Sequence, residues 1–235
     1  MEWNIPKIWE NGECWILGGG PSLTAQFKIP NEIVQGVLSG ELPPSSYSPY
    51  LETIHGKHVI GVNGAFYIGN WIDIVAFGDE NWFLNNRNQL LGFSKIKVAF
   101  CDVAEKGRFV YDGIKYVPRD GRKSSGITLR KNKISWNKNS GFASINLAYH
   151  LGVKRIILVG FDMDLNDSGK QHWHSLYRKQ GRPPKSLPFD RHLRHTPSIK
   201  QDADELGMEI INASPDSKIK EFEKTTVEEI LGIRL

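Results

Sequence analysis

Sulfur is scarce in this chain, with two cysteines and three methionines among 235 residues. Cys14 and Cys101 each sit inside an apolar run. That argues against a disulfide framework, and two buried thiols fit a reducing, cytoplasmic setting. Long hydrophobic runs are missing as well. No stretch approaches the ~20 apolar residues of a membrane span, and Met1 to Glu13 is too acidic and broken to read as a leader. The phosphate-loop sequence Gly-x-x-x-x-Gly-Lys-Ser/Thr occurs nowhere, which argues against ordinary P-loop ATPase chemistry. Neither an internal repeat nor a long linker interrupts the chain.

What is present suffices for a core. Hydrophobic residues make up 40% and aromatics 11%, consistent with one α/β domain spanning 1–235. The net charge of +4 is unevenly spread. Between Gly169 and Lys200 eight Lys and Arg face a single acid, Asp190, so this segment carries +7 and the rest of the chain −3. Positive charge gathered in one place points to an anionic ligand rather than to a uniform nucleic-acid coat.

Apolar runs and helical stretches alternate along the sequence. Strands are expected at Cys14–Leu17, from His58 towards Phe66, from Trp71 to Phe77, at Lys95–Asp102, at Arg155–Val159 and around Met208–Ser214. Helices are expected at Ser22–Phe27, Asn31–Leu38, Glu80–Leu90, Ser140–Leu151 and Pro197–Leu206, with a short one near Thr225–Gly232. A Pro/Ser-rich loop covers Gly40–Pro49. Alternation of this kind predicts an α/β fold with a doubly wound, mostly parallel, Rossmann-like sheet. Residues 109–135 break the rhythm. Asp112-Gly113 and the segment GITLRKNKISW read as antiparallel hairpins at the sheet edge, and 166–196 reads as a basic lid.

In an open α/β sheet, ligands gather at the carboxyl ends of the strands. Four such ends run into glycine with a small polar or acidic residue: Gly18-Gly19-Gly20-Pro21-Ser22, Asn63-Gly64, Gly78-Asp79, and Gly160-Phe161-Asp162-Met163-Asp164. The glycine run has two readings, a phosphate cradle of backbone N–H groups or a tight strand-to-helix corner. Leu23 stands where a dinucleotide fingerprint needs its third glycine. Asn63 suits contact with a base or ribose and equally a left-handed turn. Asn139-Ser140-Gly141 fits a helix cap that aims N–H groups at the same crevice. Asp79, Asp162 and Asp164 are the candidate Mg²⁺ ligands, with solvated strand ends as the alternative. Four histidines, His172, His174, His192 and His195, fall in the basic segment, where a general-base or phosphate-contacting role suits one or two of them better than zinc.

These corners, in this order, resemble a known superfamily. The stretches GGGPSL, VNGAFY, NSGFASINLAYHLGVKRIILVGFDMD and HTPSIKQDADELGMEIINASPDS look like the bacterial sialyltransferases of glycosyltransferase family 42. They also resemble the motility accessory factors and the archaeal 6-hydroxymethyl-dihydropterin pyrophosphokinases. The resemblance implies that Gly18 to Ser22 approaches a nucleotide's phosphates, that Asn63, Ser140 and Gly141 line its pocket, and that Asp162 holds the Gly-x-Asp corner. It also implies a general-base histidine at His195, or at His192 if the alignment slips. The chain departs from the sialyltransferase pattern in four places. Gly19 replaces an asparagine, Asp164 a tyrosine, Asn137 an arginine, and Lys170 stands near a second tyrosine's position.

The expected activity is therefore that of a nucleotide-dependent transferase with a nucleotide or nucleotide-sugar donor. The acceptor is a glycan, a pterin-like molecule or a nucleic acid. A Mg²⁺-ATP pyrophosphokinase, a binding protein without catalysis, and a nucleic-acid modifier that stacks bases on Trp173, Tyr177 and Phe189 are the rivals.

Overall fold

A strand covered on both faces has no position for an alternating polar residue, so the most apolar runs fill the middle of the sheet. The computed structural model describes residues 3–101, 113–176 and 187–235. Its strands are β1 (Glu13–Leu17), β2 (His58–Val62), β3 (Ile74–Phe77), β4 (Ile96–Cys101), β5 (Lys115–Pro118), β6 (Arg155–Val159), β7 (Glu209–Asn212) and β8 (Glu223–Lys224). They form one eight-stranded sheet in the order β5-β4-β3-β2-β1-β6-β7-β8. Every pairing between them is parallel. The chain thus winds outward from β1 to β5, then returns to β6 on the other side of β1. The expected α/β doubly wound sheet is what forms.

The helices are α1 (Ser22–Gln26), α2 (Asn31–Ser39), α3 (Glu80–Leu91), α4 (Ser140–His150), α5 (Phe189–Leu193), α6 (Thr196–Glu205) and α7 (Val227–Leu231). Side chains alternate along β1, so that Trp15 and Leu17 enter one core and Cys14 and Ile16 the other. Leu23, Val37, Phe83 and Val227 close the first core from α1, α2, α3 and α7. Phe142, Ile145, Ile199 and Ala203 close the second from α4 and α6. Two helices start on side-chain caps that also set the crevice: Asp79 Oδ1 accepts from Trp82 N (2.7 Å), and Asn139 Oδ1 from Phe142 N (3.1 Å). No helix among the described residues is long and apolar enough to cross a membrane.

Several local features differ from expectation. The Pro/Ser-rich stretch does not stay a loop, because Pro44–Ile54 coils into 3-10 turns that bury Tyr47, Leu51 and Ile54. The antiparallel excursion also takes another form. Its first arm lies outside the described residues, and its second becomes β5, which pairs in parallel with β4. Over 126–136 no strand pair forms; one isolated parallel bridge links Arg119 to Ile134.

Side chains, not a ladder, satisfy that segment's backbone. Asn146 Oδ1 accepts from Thr128 N (3.0 Å) and Ser135 N (2.9 Å), and Asn137 brackets both backbone groups of Gly126. Buried Asp120 gathers the Thr128 hydroxyl, the Arg122 amide and the Arg130 guanidinium.

Candidate functional site

The point where the winding reverses lies between β1 and β6, and there the two connections leave in opposite directions and open a crevice. A cleft of about 580 Å³ occupies it. Of the residues singled out from sequence, Gly18, Gly19, Gly20, Asn63, Asp79, Ser140, Gly141, Asp162 and Asp164 all line this cleft. Pro21 and Ser22 sit just behind the lining, and His195 is not part of it.

The glycine loop is held more tightly than an open phosphate cradle. Gly18 N donates to Val159 O (2.8 Å) and Gly20 N to Gly160 O (2.9 Å), so both amides tie the end of β1 to the end of β6. The Trp173 indole donates to Gly18 O (2.9 Å), and Trp173 N donates to Gly19 O (3.1 Å). Trp173 itself is buried. It pins the loop from behind and offers no face to a base. Close approach explains the glycines: a Cβ on Gly20 would fall 1.7 Å from Asp162 Oδ2, and one on Gly18 2.5 Å from Gly160 O.

Asp162 faces the start of α1. Its Oδ1 accepts from Ser22 N (3.1 Å), its Oδ2 accepts from the Ser22 hydroxyl (3.0 Å), and that hydroxyl also meets Ser214 Oγ at 2.8 Å. Burial nonetheless raises the Asp162 pKa above the ordinary carboxylate value, against these two donors. Asp79 is spent on the α3 cap. Asp164 accepts from Leu165 N (2.8 Å) and pairs with Lys218 at 3.2 Å, and its pKa is lowered by these contacts. The three carboxylates are thus committed separately. Among the described residues no three His, Cys, Asp or Glu side chains gather into a cation site. The set does not fit Mg²⁺.

The histidines divide. His192, on α5, lines the cleft, and its Nδ1 lies 3.1 Å from Asn139 Nδ2. Because Asn139 Oδ1 already accepts from Phe142 N, the amide nitrogen is the donor and the His192 Nδ1 lone pair the acceptor. Burial, with help from Arg191 and His195, lowers its pKa to about 4, so the ring is neutral at pH 7. His195 stands at the N-cap position of α6, where its side chain bonds the Ser125 hydroxyl (3.0 Å) rather than the helix. His172 lines the cleft against Gly19, and its ring stacks on buried His174 with centroids 5.2 Å apart. Burial lowers these two to about 4 and about 3. Next to Lys170, which stands near the family's second tyrosine position, Gln171 and His172 reach the cleft, and Asn137 is a buried bracket.

Sequence reasoning missed Trp82, Trp136 and Lys138, all of which line the cleft. The available signal was Asn137-Lys138-Asn139, a cluster of turn-forming polar residues ahead of a helix. Asn137 and Lys138 both adopt left-handed φ values, 51° and 53°, as do Asn63 (50°) and Met163 (53°). Asparagine adopts this conformation at little cost, so the strain beside the cleft falls on Lys138 and Met163. The cations Lys138 and Arg191 have no carboxylate partner among the described residues. Tyr177 and the basic residues 178, 179, 182 and 185 lie outside the described residues.

No family model matches the chain, and no curated protein matches it. Solved structures do. One is the sialyltransferase CstII from Campylobacter jejuni in complex with the substrate analogue CMP-3FNeuAc. It aligns with a TM-score of 0.50 and 12% identity, covering 95% of this chain and 88% of that one. A CST-II sialyltransferase variant in complex with CMP aligns with a TM-score of 0.50 and 12% identity over 91% and 86%. At this identity the likeness is one of fold, and in that respect the chain is sialyltransferase-like.

Proposed function

We propose that this chain is a nucleotide-dependent transferase, and within that class a glycosyltransferase that uses a nucleotide-sugar. One observation carries the reading. The cleft at the sheet's switch point has committed acids and uncommitted cations, Lys138 and Arg191, so its free electrostatics favour an anion. The nucleotide comes from the shared fold, since the solved neighbours hold CMP or a CMP-sugar analogue. A pyrophosphokinase would need its carboxylates gathered on Mg²⁺-ATP, and the arrangement lends that reading no support.

The chemistry follows from the neutral imidazole. His192 Nδ1, the neutral ring's one lone pair, takes the proton of an acceptor hydroxyl that displaces the Asn139 amide from it, and the hydroxyl oxygen attacks the donor sugar's anomeric carbon. The bond from that carbon to the phosphate oxygen breaks, and the nucleotide leaves with its charge stabilised by Lys138 and Arg191. Burial, more than the cations beside it, holds the His192 pKa at about 4, below the range suited to base catalysis at neutral pH. A bound phosphate beside Arg191 offsets the cationic repulsion and raises its pKa toward the working range. His192 takes this role in preference to His195 because it lines the cleft.

Thermal unfolding with CMP, CDP, UDP, GDP, ATP and CMP-sialic acid, each with and without Mg²⁺, tests the class. A ligand at ~100 times its Kd adds about 2.7 kcal/mol, a rise of roughly 5–10 °C in midpoint for a domain of this size. The expected result is a metal-independent rise with a nucleotide. No rise with any of them overturns the reading, and a rise only with ATP and Mg²⁺ replaces it with phosphoryl-transfer chemistry. In a transfer assay, His192→Ala should abolish turnover while the nucleotide-induced rise persists. His195→Ala should leave turnover nearly intact; the reverse outcome returns the base to His195.

A further inference from the structure

Trp136 is an aromatic residue of the cleft that the protein braces on two sides. Half-buried, it lines the cleft, and the Arg119 guanidinium lies 4.1 Å from its ring centroid. Arg119 is itself fixed by Gly78 O (2.8 Å) and Phe100 O (3.2 Å). The indole lies so close over Gly78 that a Cβ there would come within 2.3 Å of it. The next residue, Asn137, spends its amide on Gly126 and Ser135. The ring is thus held before any ligand arrives, which spares a binding event the cost of ordering it.

Two buried polar atoms of cleft-lining residues lack partners. Asn63 Oδ1 and the Trp82 indole Nε1 are both buried without a hydrogen bond, and both residues line the cleft. One is an acceptor and the other a donor. Leaving both unmade is costly, and a side-chain rotation that turns them to the cleft would let a ligand edge presenting a donor and an acceptor satisfy them. The placement is ordered across the sheet. Gly18 to Gly20 follow β1, Asn63 follows β2, and Gly78, beneath Trp136, follows β3. Neighbouring strands lie ~4.8 Å apart, so these corners make a row about 10 Å long. A mononucleotide laid along it has its phosphate at one end and its base at the other.

We propose that Trp136 is the wall on which the donor's nucleobase stacks, with Asn63 Oδ1 and the Trp82 indole N–H reading the base's edge. This rests on the nucleotide reading above. Arg119 is a positioning residue that holds the indole through its far face.

Calorimetric titration of the full chain with CMP, UMP, GMP and AMP, and with ribose 5-phosphate by competition at millimolar concentration, tests it. The variants are Trp136→Leu, which keeps bulk without a π-face, and Trp136→Phe, which keeps the face. For the tightest nucleotide, Trp136→Leu should weaken binding roughly 5- to 150-fold, the range spanned by one aromatic–base stack. Trp136→Phe should stay within about 3-fold of the parent. Ribose 5-phosphate should bind all three proteins alike. The stacking wall is overturned if Trp136→Leu binds the nucleotide as the parent does, or if it weakens ribose 5-phosphate in the same ratio. Should the parent bind no nucleotide at all, the transferase reading falls together with it.

Discussion

At the scale of single residues, the cleft is built from side chains whose obvious chemistry is already spent. Asp162 is the clearest case, because its position in a Gly-x-Asp corner is legible in the sequence and its engagement is not. Nothing in Asp162 or Ser22 alone reveals that both carboxylate oxygens turn to Ser22 across 140 positions of chain. The same crowding makes Gly20 irreplaceable. Gly20→Ala sets a methyl within 1.7 Å of Asp162 Oδ2 and 2.7 Å of Gly160 O, the second of which is backbone. Chemical denaturation should show a loss of about 1–3 kcal/mol or more, the range for overpacking a tight site. Parent-like stability would mean that the ends of β1 and β6 are not held together as described.

The stacked pair His172 and His174 makes a second residue-scale prediction. Burial lowers both pKa values, to about 4 and about 3, from an unfolded value near 6.5. Between these limits the unfolded chain binds more protons than the folded one, so stability rises with pH through this window and falls as pH drops below ~6.5. The slope approaches about 1.4 kcal/mol per pH unit for each histidine. His174→Gln should flatten the stability profile between pH 6.5 and 4 while changing little above pH 7. An unchanged slope would show that these rings are hydrated.

At the scale of elements, sequence periodicity located most strands and helices because each shows its own apolar pattern. The segment 119–137 defeated it for a physical reason. Alternating residues around a turn signal suggest a hairpin, but a hairpin needs its backbone groups to pair with each other. Here distant side chains take them: Asn146 from α4 holds Thr128 and Ser135, and Asp202 from α6 accepts from Ile127 N (2.6 Å) and Lys123 Nζ (2.8 Å). Only the assembled sheet brings Asn146 and Asp202 within reach. The segment carries Trp136 and Lys138 to the cleft, so its bracing also sets the cleft's wall. Asn146→Ala orphans two buried N–H groups, at about 1–3 kcal/mol each. We expect a stability loss of roughly 2–6 kcal/mol by urea denaturation, with weaker nucleotide binding even where the protein remains folded. A loss below ~1 kcal/mol would mean that the segment satisfies its backbone without α4.

At the scale of the whole molecule, parallel topology explains why a cleft could be located from sequence while its chemistry could not. Parallel strands put all their carboxyl ends at one edge, so glycine-rich corners far apart in the chain converge without any further information. Charge does not converge by such a rule. The surplus between Gly169 and Lys200 pointed to an anionic ligand, yet among the described residues the cations that line the cleft are Arg191 from that segment and Lys138 from another. Both are exposed and lack carboxylate partners among the described residues, so their attraction for a phosphate is open to solvent and to salt. The Debye length shrinks from ~10 Å at 0.1 M to ~3 Å at 1 M, and two exposed charge pairs contribute about 0.4–2 kcal/mol together. Replacing both cations, Lys138→Ala with Arg191→Ala, should therefore weaken nucleotide binding roughly 2- to 30-fold at low salt and remove most of its ionic-strength dependence. Titration at 0.05 M and 0.5 M salt distinguishes the outcomes. A double variant that keeps the parent's salt dependence would assign the phosphate to other cations and shift attention to the remaining basic residues between Gly169 and Lys200.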